Sequence, residues 1–144
     1  MTETNSHKPT VLFVCVHNAG RSQMAAAYLE HLSRGAIDVR SAGSRPAKEV
    51  NPAVVEAMAE DGIDISGRTT KQLTTEQLHD ANMVITLGGG VDVPVIPGRK
   101  YEDWELTDPA GKDVGAARVL RDDIKARVQN LVSGLLPALH PDAS

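Results

Sequence analysis

Three side chains near the N-terminus are spaced for chemistry on a tetrahedral anion: Cys15, Arg21 six positions later, and Ser22. Cys15 ends the apolar run Val11-Leu12-Phe13-Val14, and the segment Cys15-Val16-His17-Asn18-Ala19-Gly20-Arg21-Ser22 opens directly into a helical pattern. A loop of small residues, with an Asn and a Gly that tolerate left-handed backbone, can curl so that successive N–H groups face inward as an oxyanion nest. The helix N-terminus adds positive potential. Arg21 can close the ring with a bidentate fork on two anion oxygens, and the same field favours thiolate at Cys15, the form that acts as nucleophile. Ser22 can donate a further hydrogen bond. A lone cysteine is more often a small buried core residue and a lone arginine a surface charge. The coincidence of strand, thiol, loop, guanidinium and helix start favours the chemical reading instead. His17 is open between a donor facing the substrate and a solvated side chain. His7, His31, His79 and His140 lack the paired spacing of metal ligands, so no metal site is expected.

The elements that must hold this loop alternate along the chain. Val11 to Val14 reads as a buried parallel strand, followed by a helix from about Ser22 to Ser33 with Met24, Ala27, Tyr28 and Leu32 on one face and Gly35 stopping it. Ile37 to Ala42 predicts a second strand. Asn51-Pro52 caps a helix carrying Val54, Val55, Met58 and Ala59, closed by Gly62. Thr74 and Gln77 have capping-box spacing for a short helix to about Asp80, before a third strand over Met83 to Leu87. Tyr101 to Leu106 predicts a fourth strand, and a final helix, preceded by Asp113, is striped by Leu120, Ile124, Val128, Leu131 and Leu135 and ended by Pro137. This order predicts an α/β fold, an open doubly wound sheet of four parallel strands flanked by helices on both faces. In such sheets ligands bind beyond the carboxyl ends of the strands, where Cys15 stands.

Composition narrows the function. The 144 residues, 41% hydrophobic and 24% charged, fit one globular domain over 1–144, with a core over about residues 10–137 and frayed ends. Fifteen basic against nineteen acidic side chains give a net charge of −4, and the four aromatics, Phe13, Tyr28, Tyr101 and Trp104, are scattered singly along the chain. Nucleic acid is therefore not the expected partner. The first ten residues have no apolar run of signal-peptide length, and Val11 to Val16 is far too short to span a bilayer. One cysteine excludes an internal disulfide, and a cytoplasmic protein without membrane partners is expected.

The sequence resembles the low-molecular-weight protein-tyrosine-phosphatase superfamily and, within it, the arsenate reductases. The likeness rests on residues 11–25, on Ser41-Ala42-Gly43, on Gly62-Ile63-Asp64-Ile65-Ser66, and on Trp104 followed by Asp108-Pro109. It implies that Cys15 is the nucleophile, that Arg21 and the loop amides bind the oxyanion, and that Asp108 is the general acid. A departing oxygen needs a proton, and an acid after the fourth strand lies on the sheet edge that carries Cys15. Tyrosine phosphatases of this superfamily carry aromatic residues after the Asp-Pro pair, where this chain has Ala110-Gly111, so a bare anion is favoured over an aryl ester. Phosphate, of nearly the same shape and charge as arsenate, should compete.

Reducing arsenate takes two electrons and hence two thiols, and this chain has one. Thioredoxin-coupled members carry further cysteines in the segment matching Leu87 to Pro94. Here the resemblance is greatest to mycothiol-dependent members, implying transfer of arsenate to external mycothiol, or to glutathione, and later reduction by a glutaredoxin-like redoxin, with no bound cofactor. Arg45, Arg68 and Arg99 are candidates for docking the thiol. A phosphatase acting on phosphoesters with the same Cys/Arg/Asp set, and a non-catalytic oxyanion sensor or thiol switch, remain alternatives.

Overall fold

The computed structural model describes residues 8–88, 91, 93–106 and 112–139. Its elements run β1 (Thr10–Cys15), α1 (Arg21–Ser33), β2 (Asp38–Gly43), α2 (Pro52–Glu60), α3 (Thr75–Asp80), β3 (Met83–Leu87), β4 (Lys100–Trp104) and α4 (Val114–Leu139). The sheet has the order β2-β1-β3-β4 with every neighbouring pair parallel. Chain order reverses on either side of β1, so a crevice opens between the ends of β1 and β3. Cys15 is the last residue of β1 and sits at that crevice.

Helices cover both faces, as expected. Phe13, Met24, Tyr28, Val54, Met58, Ile85, Leu120, Ile124 and Val128 form the larger core with α1, α2 and α4. Leu12, Val14, Leu78 and Val84 form the smaller one beneath α3. The strand β1 is buried along its whole length, which is why it reads as an unbroken apolar run. Phe13 and Trp104, far apart in the chain, meet in the larger core with ring centroids 5.9 Å apart.

The local start signals are realised as bonds. Asn51 Oδ1 accepts from the Ala53 N–H at 2.9 Å, and Thr74 and Gln77 form a reciprocal capping box. Asp113 Oδ1 accepts from the Ala116 N–H at 3.0 Å at the head of α4. Three features that differ from the sequence expectation bear on the packing. Burial in α1 is not confined to one face: every residue from Arg21 to Leu29 is buried, which the run Ala25-Ala26-Ala27 permits by keeping the helix thin. The strand β4 spans Lys100–Trp104 rather than reaching Leu106, because its pairing with β3 ends at Leu87 against Trp104. Pro137 does not stop α4, which runs on to Leu139. In the last turn a proline removes one backbone bond and leaves the rest of the helix intact.

Candidate active site

The loop after β1 is held from outside. The carbonyls of Cys15, Val16, His17 and Ala19 accept from the N–H groups of Ser44, Arg45, Ala47 and Asn51 at 3.2, 2.7, 3.0 and 2.9 Å. A trans peptide directs its N–H opposite to its carbonyl, so this strapping turns the amides that follow toward the hollow. One is seen there directly: the Asn18 N–H points at Cys15 Sγ, 3.2 Å away. Gly43 makes the strapping possible. A Cβ at that position would stand 2.7 Å from the Val16 carbonyl oxygen and 2.9 Å from the Asn18 nitrogen, closer than a side chain can pack.

Asn18 is the hinge of the loop, fully buried and left-handed with φ 51°. Asparagine is among the few residues that adopt this conformation readily. Gly20 does not share it; as the N-cap of α1 it has φ −143°. The Asn18 carboxamide is oriented by the Lys71 N–H, which donates to Oδ1 at 2.9 Å, while Nδ2 donates to Ser22 Oγ at 2.7 Å. Because an amide nitrogen only donates, it occupies a lone pair of the Ser22 hydroxyl and leaves the hydroxyl proton for another acceptor. That acceptor is Cys15 Sγ, 2.9 Å from Ser22 Oγ. The sulfur thus faces one backbone N–H and one hydroxyl inside the loop.

Arg21 opens α1 and is 4% exposed, with Nη1 donating to the Leu106 carbonyl at 3.4 Å. Of the sequence candidates, Asn18 and Ser22 meet the Cys15 sulfur, while the Arg21 guanidinium lies between Gly88 and the Leu106 carbonyl. Val16 and His17 are half-buried, and Val16, His17 and Ala19 form the strapped wall. Asp108, Ala110 and Gly111 lie outside the described residues. Asp103, one residue before the end of β4, accepts from the Thr86 hydroxyl of β3 at 2.6 Å. Of the three arginines offered for thiol docking, Arg45 lies against the loop through its bond to Val16. Arg68 is paired with Glu30 near the far end of α1. Arg99 is held by the His79 carbonyl beside the start of β3, at the opposite edge of the sheet.

Several contributors are not evident from the loop sequence. Gln23, 1% exposed, donates through Nε2 to the Asn18 carbonyl at 3.0 Å and to the Thr69 carbonyl at 3.1 Å, tying the loop to the 69–71 segment. A polar residue within the buried stretch of α1 is its only sequence signal. Gly88, at the exit of β3, donates to the Trp104 carbonyl at 2.7 Å and lies against the Arg21 guanidinium. Among the described residues no group of His, Cys, Asp or Glu is placed to hold a metal ion, and no helix is long and apolar enough to cross a membrane.

The family model described as "Low molecular weight phosphotyrosine protein phosphatase" matches residues 10–92. A glutaredoxin arsenate reductase of Synechocystis is 39% identical over 126 residues, 85% of this chain and 95% of that one. Among solved structures, an arsenate reductase in the phosphate binding state superposes with TM-score 0.79 at 38% identity, over 88% of this chain and 98% of that one. The thioredoxin-dependent arsenate reductase of Corynebacterium glutamicum gives TM-score 0.77 at 40% identity, over 90% of this chain and 62% of that one.

Proposed function

The chain belongs to the low molecular weight phosphotyrosine protein phosphatase family, and from that premise we propose that it is an arsenate reductase that passes arsenate from Cys15 to an external thiol. The observation that carries this reading is the sulfur's setting, within reach of the Asn18 N–H and the Ser22 hydroxyl in a loop that also bears Arg21. Relatives named as arsenate reductases, with nearly full mutual coverage, support arsenate as the substrate.

In the proposed sequence Cys15 attacks arsenic, a sulfur–arsenic bond forms, and one arsenate oxygen leaves as water. The inward amides and Arg21 hold the remaining oxygens, and Ser22 donates to the sulfur when it leaves again. Asp108 supplies the proton for the departing oxygen. An external thiol then displaces Cys15 at arsenic, which regenerates the enzyme thiol and releases a thiol–arsenate adduct. A redoxin thiol attacks the sulfur of that adduct. A disulfide forms, the sulfur–arsenic electron pair stays on arsenic, and arsenite departs. The chain contains one cysteine, so both electrons come from thiols outside it. We assign mycothiol, or glutathione in its place, as the acceptor and a glutaredoxin-like protein as the reductant.

The test is incubation with arsenate and a panel of thiols, with and without a glutaredoxin-like protein, following arsenite. Arsenite is expected only when both thiol and redoxin are present. Rapid hydrolysis of a chromogenic aryl phosphate with no thiol, and no arsenite under any condition, would overturn the proposal in favour of a phosphatase.

A further inference from the structure

A Cβ built on Gly88 would fall onto Nη1 of Arg21, with Cζ at 2.8 Å and the Leu106 carbonyl oxygen at 3.2 Å. The guanidinium therefore lies against the bare Cα at the exit of β3, sandwiched by the chain leaving β4. We propose that Gly88 is a positioning residue for oxyanion binding: the missing side chain is the space in which the Arg21 guanidinium lies.

The inference rests on the reading of Arg21 as an oxyanion ligand. Two features of Gly88 must be separated, because its φ is +84° and a side chain there is strained whatever the space. Gly98 supplies the separation. Its φ is +87°, yet an added Cβ would meet nothing within 4 Å. It also lies in the turn before β4, at the sheet edge away from Cys15. Gly98→Ala carries the backbone strain without the collision. The obstructing atoms at Gly88 belong to the far end of a long, flexible side chain, so Gly88→Ala should push the guanidinium aside rather than unfold the protein. The consequence then falls on the anion and not on the fold.

Binding of inorganic phosphate to the full chain, followed by calorimetry beside a thermal melt, reads this directly. Both alanine variants are expected to melt lower by similar amounts. Gly98→Ala should bind phosphate like the parent, whereas Gly88→Ala should lose about tenfold or more, the loss of one charge-assisted contact. In the Arg21→Ala background, adding Gly88→Ala should cost no further affinity, because the displaced group is already gone. Equal phosphate affinity in Gly88→Ala and the parent overturns the inference. So does an equal loss with and without Arg21, which would mark a purely structural glycine. If Gly88→Ala alone does not fold, folding of Arg21→Ala/Gly88→Ala upholds the inference and its failure to fold overturns it. A parent that binds no phosphate refutes the reading of the loop itself, a result distinct from any of these.

Discussion

Replacing Asn18 by alanine isolates the carboxamide that organises the candidate site. The side chain is fully buried and makes bonds to Lys71 N at 2.9 Å, Ser22 Oγ at 2.7 Å and Gln23 Nε2 at 3.2 Å. Gln23 keeps its two carbonyl acceptors, so the variant chiefly strands the Lys71 N–H and removes the donor that orients Ser22. A buried polar group left without its partner costs about 1–3 kcal/mol, and alanine at φ 51° adds roughly another 0.5–1. The sum, about 1.5–4 kcal/mol, corresponds to a melting point lower by roughly 5–15 °C in a domain of this size. Urea denaturation at neutral pH measures it. Asn18→Gly, which removes the backbone strain but not the lost bonds, should recover up to about 1 kcal/mol of the difference. A loss below about 1 kcal/mol in Asn18→Ala, or no recovery in Asn18→Gly, would refute the role given to this amide.

Four further outcomes are expected. Gly43→Ala forces a methyl against the backbone of Val16 and Asn18, so both stability, by about 1–3 kcal/mol, and arsenite production should fall; retention of both would contradict the packing described. Gln23→Leu should release the 69–71 segment, seen as faster amide exchange at Lys71, and unchanged exchange would count against the tie. Asp108→Asn should slow arsenite production with little change in phosphate affinity, and unaltered turnover would remove it as the acid. The last outcome concerns pH. The Tyr28 hydroxyl, and after it Lys125, holds the Asp61 carboxyl below its usual range. That share of stability is complete above the unfolded value of about 3.9 and is lost as pH falls through the folded one. Burial, and after it Asp61, raises the phenol of Tyr28, whose share is complete below about pH 10 and fades as pH climbs further. Tyr28→Phe should flatten both flanks of the stability curve, and unchanged slopes would contradict the assignment.

What the sequence discloses here is mostly what is local. The β1–loop–α1 unit could be read because strand, thiol, guanidinium and helix start are contiguous, and the caps at Asn51, Thr74 and Asp113 because each bonds an N–H two or three residues on. Contacts that cross the chain left little trace. Gly88 is one glycine in a run of three, and its meaning depends on where Arg21 reaches across from α1. Gly43 supports the loop from a different strand, and Gln23 bonds Thr69 over a separation of 46 residues. The end of β4 is set by the length of β3 rather than by its own residues, so Leu106 falls outside the strand although its apolar character suits one. Arg68 and Arg99 carry the charge a docking role needs, and the partners they have in the fold, Glu30 for Arg68 and the His79 carbonyl for Arg99, could not be read from the sequence.

In the proposed function arsenic is handled at one sulfur, that of Cys15. Its most direct measurement is arsenite release by the Cys15→Ser protein supplied with arsenate, low-molecular-weight thiol and a glutaredoxin-like protein, compared with the parent under the same conditions. The substitution keeps a hydroxyl in place of the thiol and preserves the loop, and arsenite is expected to fall to the level seen without enzyme. Arsenite formation at a rate comparable to the parent would contradict it.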